Sequence, residues 1–290
     1  MSKQSKKSGK KNNRQASPSG NIRPAKSLGQ NFLIDEHVLD KIIDAAGITD
    51  EDGVIEIGPG IGTMTQRLCE RAKKVVAIEI DKELIPILKE TLSPYENVSV
   101  IHGDVMKTDL ESLVANDFAG MKVKVVANLP YYITTPIVMS LLEQHVKVTS
   151  ITIMVQKEVA LRMQAGPGNK DYGALSLAVQ YYADTYIAAN VPPNCFMPRP
   201  KVGSAVIRLD VRDKQAFDVK DEKLMFELIR GAFNQRRKTL VNAVGNYAGL
   251  DYSKEEIAGA LIKMNLSETI RGESLTLEQF AELANILKCG

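Results

Sequence analysis

Residues 53–62, Gly-Val-Ile-Glu-Ile-Gly-Pro-Gly-Ile-Gly, decide the fold that the sequence predicts. A short apolar strand runs into three glycines, and a helical pattern follows from Thr63 to Ala72. Glycines at such a turn let the backbone approach a ligand closely and bring the N-terminus of the next helix beside it. Because more apolar strands alternate with helical patterns downstream, we predict a Rossmann-like α/β domain. These strands are 74–81, 98–102, 123–127 and 150–156.

The three glycines, Gly58, Gly60 and Gly62, follow a Gly-x-Gly-x-Gly spacing. A dinucleotide-binding loop has Gly-x-Gly-x-x-Gly, and Thr63 stands where its last glycine would be. This departure weakens a nicotinamide-cofactor interpretation. Glu56, two residues before the first glycine, is unusual inside a buried strand, so it would have to hydrogen-bond to the glycine loop or to a nearby ligand.

Polar side chains also stand at the ends of the next three strands. Glu79 could accept both ribose hydroxyls of a nucleoside. Asp104 could accept an adenine amino group, although an Asp after a Gly is also ordinary turn chemistry. Asn128 ends the fourth strand. Because ligands bind at the carboxyl edge of open α/β sheets, these residues and the glycine loop predict one nucleoside pocket.

The tetrapeptide 128–131, Asn-Leu-Pro-Tyr, combines polar and aromatic groups that suit an adenine amine. That nitrogen is a poor nucleophile because its lone pair is delocalised into the ring. The side-chain oxygen of Asn128 and the carbonyl of Leu129 could accept both of its N–H bonds and aim the lone pair. Pro130 would stiffen the loop, and Tyr131 would stack on the base. The alternative is an ordinary strand-to-helix turn that contains a proline.

A proline-rich loop, 192–202, precedes a strand predicted at 204–211. Its four prolines would hold Phe196 in a fixed position. Phe196 could then stack on the face of the base opposite Tyr131, or it could be a plain aromatic anchor for the loop.

From about residue 220 the pattern becomes wholly helical, with helices predicted at 221–245, 253–265 and 276–287. We therefore predict a Rossmann-like domain over residues 22–215 and a small all-helical domain over 216–290. The first of these helices carries the cations 236–238 beside Asn and Gln. They could bind phosphates, or they could form a solvent-exposed face of the helix, as runs of charged residues usually do.

Composition excludes several functional classes. The 290 residues, 44% of them hydrophobic, suffice for one large and one smaller domain. Three scattered cysteines and three histidines lack any metal-ligand spacing, which fits a reducing cytoplasm without disulfides, zinc or metal hydrolysis. No apolar run reaches membrane-spanning length, and the N-terminus lacks the apolar stretch of a secretory signal.

Charge is distributed unevenly along the chain. Eight of the 37 basic residues and none of the 35 acidic ones lie in residues 1–34, so the remainder holds 29 basic against 35 acidic side chains. Residues 1–21, rich in Lys, Ser, Gly and Asn, are predicted to form a disordered basic tail. Such a tail could contact a phosphate backbone, or it could be a solubilising extension without a specific partner.

As a set, the motifs resemble the bacterial small-subunit ribosomal RNA adenine N6-dimethyltransferases, in family order from about residue 22 to 288. The motifs are Gly29-Gln-Asn-Phe-Leu33, Glu56-Ile-Gly-Pro-Gly-Ile-Gly62, Glu79-Ile-Asp81, Gly103-Asp104, Asn128-Leu-Pro-Tyr-Tyr132, Phe196-Met-Pro-Arg-Pro-Lys-Val202 and Phe233-Asn-Gln-Arg-Arg-Lys-Thr-Leu240.

The resemblance implies S-adenosylmethionine as the methyl donor and direct in-line transfer to adenine N6. Repetition would give dimethyladenosine at two adjacent adenosines in the 3′-terminal hairpin of 16S rRNA, with a role in small-subunit biogenesis. Cofactor contacts are expected at Asn31, Leu33, Glu56, Gly58, Gly60, Gly62, Glu79, Asp104 and Asn128. Catalytic contacts are expected at Asn128, Leu129, Pro130, Tyr131 and Phe196, and RNA contacts at Arg199, Lys201, Arg236, Arg237 and Lys238.

The expected partner is the small ribosomal subunit and its rRNA, bound by a cytoplasmic monomer with no membrane, DNA or metal. Two alternatives stay open. A sister group dimethylates large-subunit RNA and confers macrolide resistance, but the motifs at 196–202 and 233–240 resemble the small-subunit group more closely. A non-catalytic assembly factor would be expected to show damage at 128–131, which is intact here.

Overall fold

The computed structural model describes residues 31–144 and 146–289, which form nine strands and eleven helices. The predicted basic tail lies outside these residues. The strands are β1 Phe32–Leu33, β2 Asp52–Ile57, β3 Lys74–Glu79, β4 Val98–His102, β5 Lys122–Asn128, β6 Ser150–Gln156, β7 Ala183–Val191, β8 Phe196–Met197 and β9 Ser204–Val211. The helices are α1 Glu36–Ala46, α2 Thr63–Cys69, α3 Ile85–Thr91, α4 Leu110–Asp117, α5 Thr134–Glu143, α6 Lys157–Gln164, α7 Ala174–Tyr182, α8 Glu222–Asn234, α9 Leu240–Gly245, α10 Lys254–Lys263 and α11 Leu277–Cys289.

Seven strands form one sheet in the order β4-β3-β2-β5-β6-β9-β7. The first five of these are parallel to one another, and β9 is antiparallel to both of its neighbours. The chain runs outward from β2 to β4 and then returns to the other side of β2 with β5. The topological switch point therefore lies between the carboxyl ends of β2 and β5, which is where open α/β sheets bind ligands. The predicted Rossmann-like fold is confirmed.

Burial explains why the central strands were recognisable in the sequence. All six residues of β2 are buried, and so are six of the seven residues of β6. Parallel strands covered by helices on both faces read as continuous apolar runs. Helix α1 has equally local signals, because the carboxylate of Asp35 caps its first turn and Gly47 ends it in a left-handed conformation.

The helical part of the chain differs from the prediction at one point. The single helix predicted at 221–245 is wrong, because α8 ends at Asn234 and α9 begins at Leu240. Thr239 caps α9 through its hydroxyl, which accepts a hydrogen bond from the amide of Asn242. The cations 236–238 consequently lie in a turn between two helices.

One apolar core runs through both predicted domains. It joins strand residues such as Ile55 to helical residues such as Leu228 and Phe280. The ring of Phe226 in α8 packs edge-on against Tyr181 in α7, with ring centroids 5.5 Å apart. The boundary at residue 216 stays a prediction.

Within the described ranges, no helix combines the length and apolar character that a membrane crossing needs. The same ranges contain no cluster of three or more His, Cys, Asp or Glu residues able to hold a metal ion.

Candidate active site

A cleft opens at the carboxyl edge of the sheet, where β2, β3, β4 and β5 end. It is lined by the loops that follow these strands and by β1 and Phe196. Apart from Gly62, every residue predicted to contact the cofactor or to take part in catalysis lines it. They are Asn31, Leu33, Glu56, Gly58, Gly60, Glu79, Asp104, Asn128, Leu129, Pro130, Tyr131 and Phe196.

The glycine loop forms the floor of the cleft, and its backbone requires glycine. Gly58, Gly60 and Gly62 have φ angles of 69°, 62° and 88°, a region that other residues enter only with strain. A Cβ atom at Gly58 would meet no described atom within 4 Å, so it would project into open space. Gly62 lies outside the cleft and begins α2. Gly58 therefore leaves open space beside the loop, which a ligand can occupy.

Glu79 links the second strand to this loop. Its side chain is buried, and its two carboxylate oxygens accept hydrogen bonds from the amides of Gly60 (3.1 Å) and Asp81 (2.8 Å). Burial raises the pKa of Glu79, and these backbone hydrogen bonds oppose the rise. Each oxygen retains a lone pair, so the carboxylate can still accept two ligand hydroxyls.

Glu56 lies beneath the loop in an unusual state. Its side chain is fully buried, and neither oxygen has a hydrogen-bond partner in the described part of the chain. Burial raises its pKa to about 8, and the nearby carboxylate of Glu79 adds to the rise. The hydroxyl of Thr65 opposes the shift but stands outside hydrogen-bond geometry, so burial dominates. The carboxyl is therefore protonated at neutral pH and can ionise when a cationic group enters the cleft.

We expect the free energy of unfolding of the ligand-free protein to depend on pH because Glu56 is buried in its protonated form. The pKa of Glu56 is raised from 4.5 to about 8 on folding, so its contribution to stability is complete below about pH 4.5 and is lost as pH rises towards 8. Relative to Glu56→Gln, the free energy of unfolding of the wild type should fall by up to about 1.4 kcal/mol per pH unit in this window. Chemical denaturation of both proteins from pH 5 to 8.5 measures the difference. A difference that does not change with pH would contradict the assignment.

Asn128 and Leu129 present hydrogen-bond acceptors at the end of β5. The side-chain nitrogen Nδ2 of Asn128 donates to the carbonyl of Asn31 at 3.4 Å, and the backbone amide of Leu129 donates to the carbonyl of Met154 at 3.3 Å. The carbonyl of Pro130 accepts from the Thr134 hydroxyl at 3.1 Å. These contacts fix the loop. Within residues 31–144 and 146–289, no hydrogen bond reaches Oδ1 of Asn128 or the carbonyl oxygen of Leu129.

Two aromatic side chains border these acceptors. The hydroxyl of Tyr131 shares a hydrogen bond with that of Ser204 at 2.7 Å, which fixes the direction of the ring. Residues 192–202 were predicted to form a rigid proline-rich loop, but Phe196 lies within it in the two-residue strand β8 and pairs with Leu33 of β1. The ring is buried and lines the cleft, so strand pairing as well as the prolines holds it there.

Several contacts of the cleft were not predicted from the sequence. A Cβ atom on Gly60 would approach the ring of Phe32 to 3.2 Å, so this ring packs against the glycine loop. Ser204 orients Tyr131 from a strand 73 residues away. The motif at 29–33 was a signal for the first contact, but no local pattern marks the second.

Among the predicted RNA-binding cations, Arg236 has an intramolecular role. Its guanidinium donates to Glu273 at 2.7 Å and to the carbonyls of Lys170 and Asn169 at 2.6 and 3.0 Å. It therefore joins the turn between α8 and α9 to two other segments. The side chains of Arg237, Lys238, Arg199 and Lys201 are exposed, and none of the four has an ion-pair partner among the described residues.

We expect adjacent substitutions to separate these two roles. Arg236→Ala should lower the free energy of unfolding by about 1–3 kcal/mol, because it removes three charge-assisted hydrogen bonds at a partly exposed site. Arg237→Ala, the matched control, should leave stability within about 0.5 kcal/mol. Urea titrations of both variants measure this. Equal stability of the two would show that the Arg236 contacts contribute nothing.

Comparisons with known proteins agree with this geometry. The family model for ribosomal RNA adenine dimethylase matches residues 22–288. The chain is 63% identical over 263 residues to the ribosomal RNA small subunit methyltransferase A of Lachnoclostridium phytofermentans, covering 90% of this chain and 91% of the relative. It is 54% identical over 267 residues to the protein of the same name from Clostridioides difficile, with 92% of each covered.

Solved structures of two methyltransferases align with most of the chain. A dimethyladenosine transferase from Plasmodium falciparum aligns with a TM-score of 0.75 at 28% identity, covering 87% of this chain and 95% of that one. The 23S rRNA methyltransferase ErmE aligns with a TM-score of 0.68 at 24% identity, covering 89% of this chain and all of the other. At that identity the second likeness bears on the fold alone.

Proposed function

The chain belongs to the ribosomal RNA adenine dimethylase family, and from this premise we propose how its cleft carries out the reaction. The protein is an S-adenosylmethionine-dependent adenine dimethyltransferase of small-subunit (16S) rRNA. The observation that carries the proposal is a pair of acceptors beside the cleft, Oδ1 of Asn128 and the carbonyl of Leu129, that no described residue uses.

The cleft suits the methyl donor. The carboxylate of Glu79 would accept the ribose hydroxyls, and Asp104 would accept the amino group of the donor's adenine. Gly58 gives room for the methionine end, and Glu56 lies below the loop as a counter-ion for a cationic group. When bound, S-adenosylmethionine supplies an activated methyl group, so the protein needs no nucleophile of its own.

The contribution of the chain to catalysis is positioning. Asn128 and Leu129 would accept both N–H bonds of the adenine amine and so direct the nitrogen lone pair. Pro130 keeps the loop stiff. Tyr131 and Phe196 would clamp the extruded ring, and unstacking of that ring from RNA costs a few kcal/mol. Repetition at the same nitrogen and at its neighbour would give dimethyladenosine at two adjacent positions of the 3′-terminal hairpin.

Recognition of RNA would depend on exposed cations and on RNA shape. Arg199 and Lys201 are exposed and follow the cleft residue Phe196 in the chain, and Arg237 and Lys238 are exposed on the turn between α8 and α9. Cations of this kind contact the phosphate backbone without reading sequence. We assign Arg236 to positioning of this turn because three of its donors are used inside the protein.

The physiological form is proposed to be a cytoplasmic monomer that acts on the small ribosomal subunit during its biogenesis, without DNA or membrane. The large-subunit alternative is not favoured, because the relatives at 51–63% identity are named for the small subunit. A non-catalytic assembly factor is not favoured either, because the residues of the methyl-transfer loop are intact and form the expected acceptors.

The test uses purified full-length protein, S-adenosylmethionine and ribosomal subunits from cells that lack the modification. Small and large subunits are incubated separately, and the digested RNA is examined for N6,N6-dimethyladenosine by mass spectrometry. Product in small-subunit RNA alone is expected. Product only in large-subunit RNA, or tight binding without product in either, would contradict the proposal.

A further inference from the structure

A second recess opens beside the cleft, at the carboxyl end of β6. It is lined by Gln156, Lys157, Glu158, Leu161, Val202 and Gly203. Its base is closed by a backbone hydrogen bond of 3.0 Å from the amide of Lys157 to the carbonyl of Gly203. None of these residues belongs to the cofactor site or to the methyl-transfer loop.

Strand pairing and one hydrogen bond link the recess to the active site. Gln156 pairs with Ser204, and the hydroxyl of Ser204 bonds to that of Tyr131 at 2.7 Å. Tyr131, which lines the cleft, is therefore linked through Ser204 to Gln156, which lines the recess. Neighbouring strands lie about 4.8 Å apart, and β6 is next to β5, which ends at Asn128. A strand of RNA that inserts one base into the cleft can therefore reach this recess with an adjoining nucleotide.

The surface chemistry of the recess suits a base joined to a phosphate. The side chains of Leu161 and Val202 are 41% and 43% exposed, which is high for aliphatic groups in adjoining walls. Lys157 lies in the recess and Lys201 immediately precedes Val202, and neither has an ion-pair partner in the described part of the chain. Glu158 is the acidic residue of the lining and could accept an N–H bond from a base edge.

We propose that this recess is a second base subsite, which holds the unpaired nucleotide next to the target adenosine while the target occupies the cleft. The base rests against Leu161 and Val202, and Lys157 and Lys201 contact the adjoining phosphates. Proteins that bind single-stranded RNA usually combine aromatic stacking platforms with cations along the backbone. Here the exposed aliphatic groups of Leu161 and Val202 take the place of the aromatic platform. The subsite rests on the proposed function, because it requires an RNA substrate in the cleft. It would fix which nucleotide of a run enters the cleft.

The test combines a protein variant with a change in the RNA. Leu161→Asp places a charge in the recess, and Ile262→Asp in α10, where the native side chain is 59% exposed, is the matched control. Both positions are exposed, so both variants should keep the wild-type thermal transition and affinity for S-adenosylhomocysteine. We expect Leu161→Asp to raise the KM for unmodified small subunits about tenfold or more, with kcat little changed. Ile262→Asp should match the wild type.

The second part uses subunits reconstituted with RNA that lacks the base of one nucleotide flanking the target, each flank in turn. When the missing base is the one that the subsite holds, methylation by the wild type should fall about tenfold relative to intact RNA. Methylation by Leu161→Asp should fall little further, because its subsite is already blocked. Val202→Asp should reproduce the result. The subsite would be overturned if the protein substitution and the missing base lowered methylation by independent factors that multiply. An unchanged KM for Leu161→Asp would overturn it as well. Absence of methylation by the wild type would instead contradict the proposed function.

Discussion

Replacement of Asn128 by alanine is expected to reduce methyl transfer to small-subunit RNA by at least about a hundredfold and to leave cofactor binding largely intact. Oδ1 of Asn128 and the carbonyl oxygen of Leu129 lie at the cleft end of β5, and neither accepts a hydrogen bond from a described residue. Its loss would leave one N–H bond of the target amine unpaired in a desolvated site, and the lone pair would no longer be directed at the donor. Misplacement by about 1 Å is enough to cost a hundredfold in rate.

Single-turnover methylation with saturating cofactor measures this effect, and calorimetry with S-adenosylhomocysteine measures binding separately. Asn128→Asp is the informative companion, because it keeps an acceptor oxygen but cannot donate to the carbonyl of Asn31. We expect it to retain more activity than Asn128→Ala. Unchanged transfer by Asn128→Ala would exclude the assigned role, whereas a parallel loss of cofactor affinity would show that Asn128 acts mainly as the cofactor contact that the family resemblance also implies.

The parts of this protein that could be predicted from sequence are those with local causes. The parallel strands are continuous apolar runs because helices cover both faces. The glycine loop was recognisable because its backbone angles exclude other residues. The functional residues at strand ends followed from these two facts, since the carboxyl ends of parallel strands share one edge.

The features that were missed depend on contacts between distant segments. The break between α8 and α9 accommodates Arg236, whose partners Asn169 and Lys170 lie 67 and 66 residues away. The one local signal is Thr239, the N-cap of α9, and a single threonine inside a helical pattern does not by itself mark an interruption. Likewise, Phe196 extends into a strand because Leu33 pairs with it. Periodicity indicates which face of an element is buried, but it carries no information about hydrogen bonds between segments that are distant in the sequence.

The two buried carboxyl groups give the cleft a preference for cationic ligands. Burial raises the pKa of both Glu56 and Glu79, and the carboxylate of Glu79 raises the pKa of Glu56 further. A ligand with positive charge lowers the cost of ionising them, whereas a neutral or anionic dinucleotide does not. This electrostatic bias supports the same conclusion as the glycine spacing, which had weakened the nicotinamide interpretation.

Glu79→Gln is expected to weaken binding of S-adenosylhomocysteine by about a hundredfold. The carboxylate anchors the loop through Gly60 and has lone pairs left for both ribose hydroxyls. A hydrogen bond to a charged group contributes about 1.5–3 kcal/mol, and an amide offers one acceptor oxygen in place of two. Because burial raises the pKa of Glu79, the neutral side chain also removes a desolvation cost, so the variant should stay folded. Calorimetry measures the affinity, and Glu83→Gln, at an exposed carboxylate four residues away, is the matched control.

The ribose assignment can be separated from a general effect on the loop by using a 2′-deoxyribose analogue of the ligand. The wild type should lose affinity for this analogue by tenfold or more, at about 1.4 kcal/mol per tenfold. Glu79→Gln should lose much less, because the group that recognises the hydroxyl is already gone. At saturating cofactor, the kcat of the variant should approach that of the wild type, since Glu79 is assigned to binding and Asn128 to orientation of the amine. Equal losses of the analogue's affinity in both proteins would mean that Glu79 shapes the glycine loop without contacting the ribose.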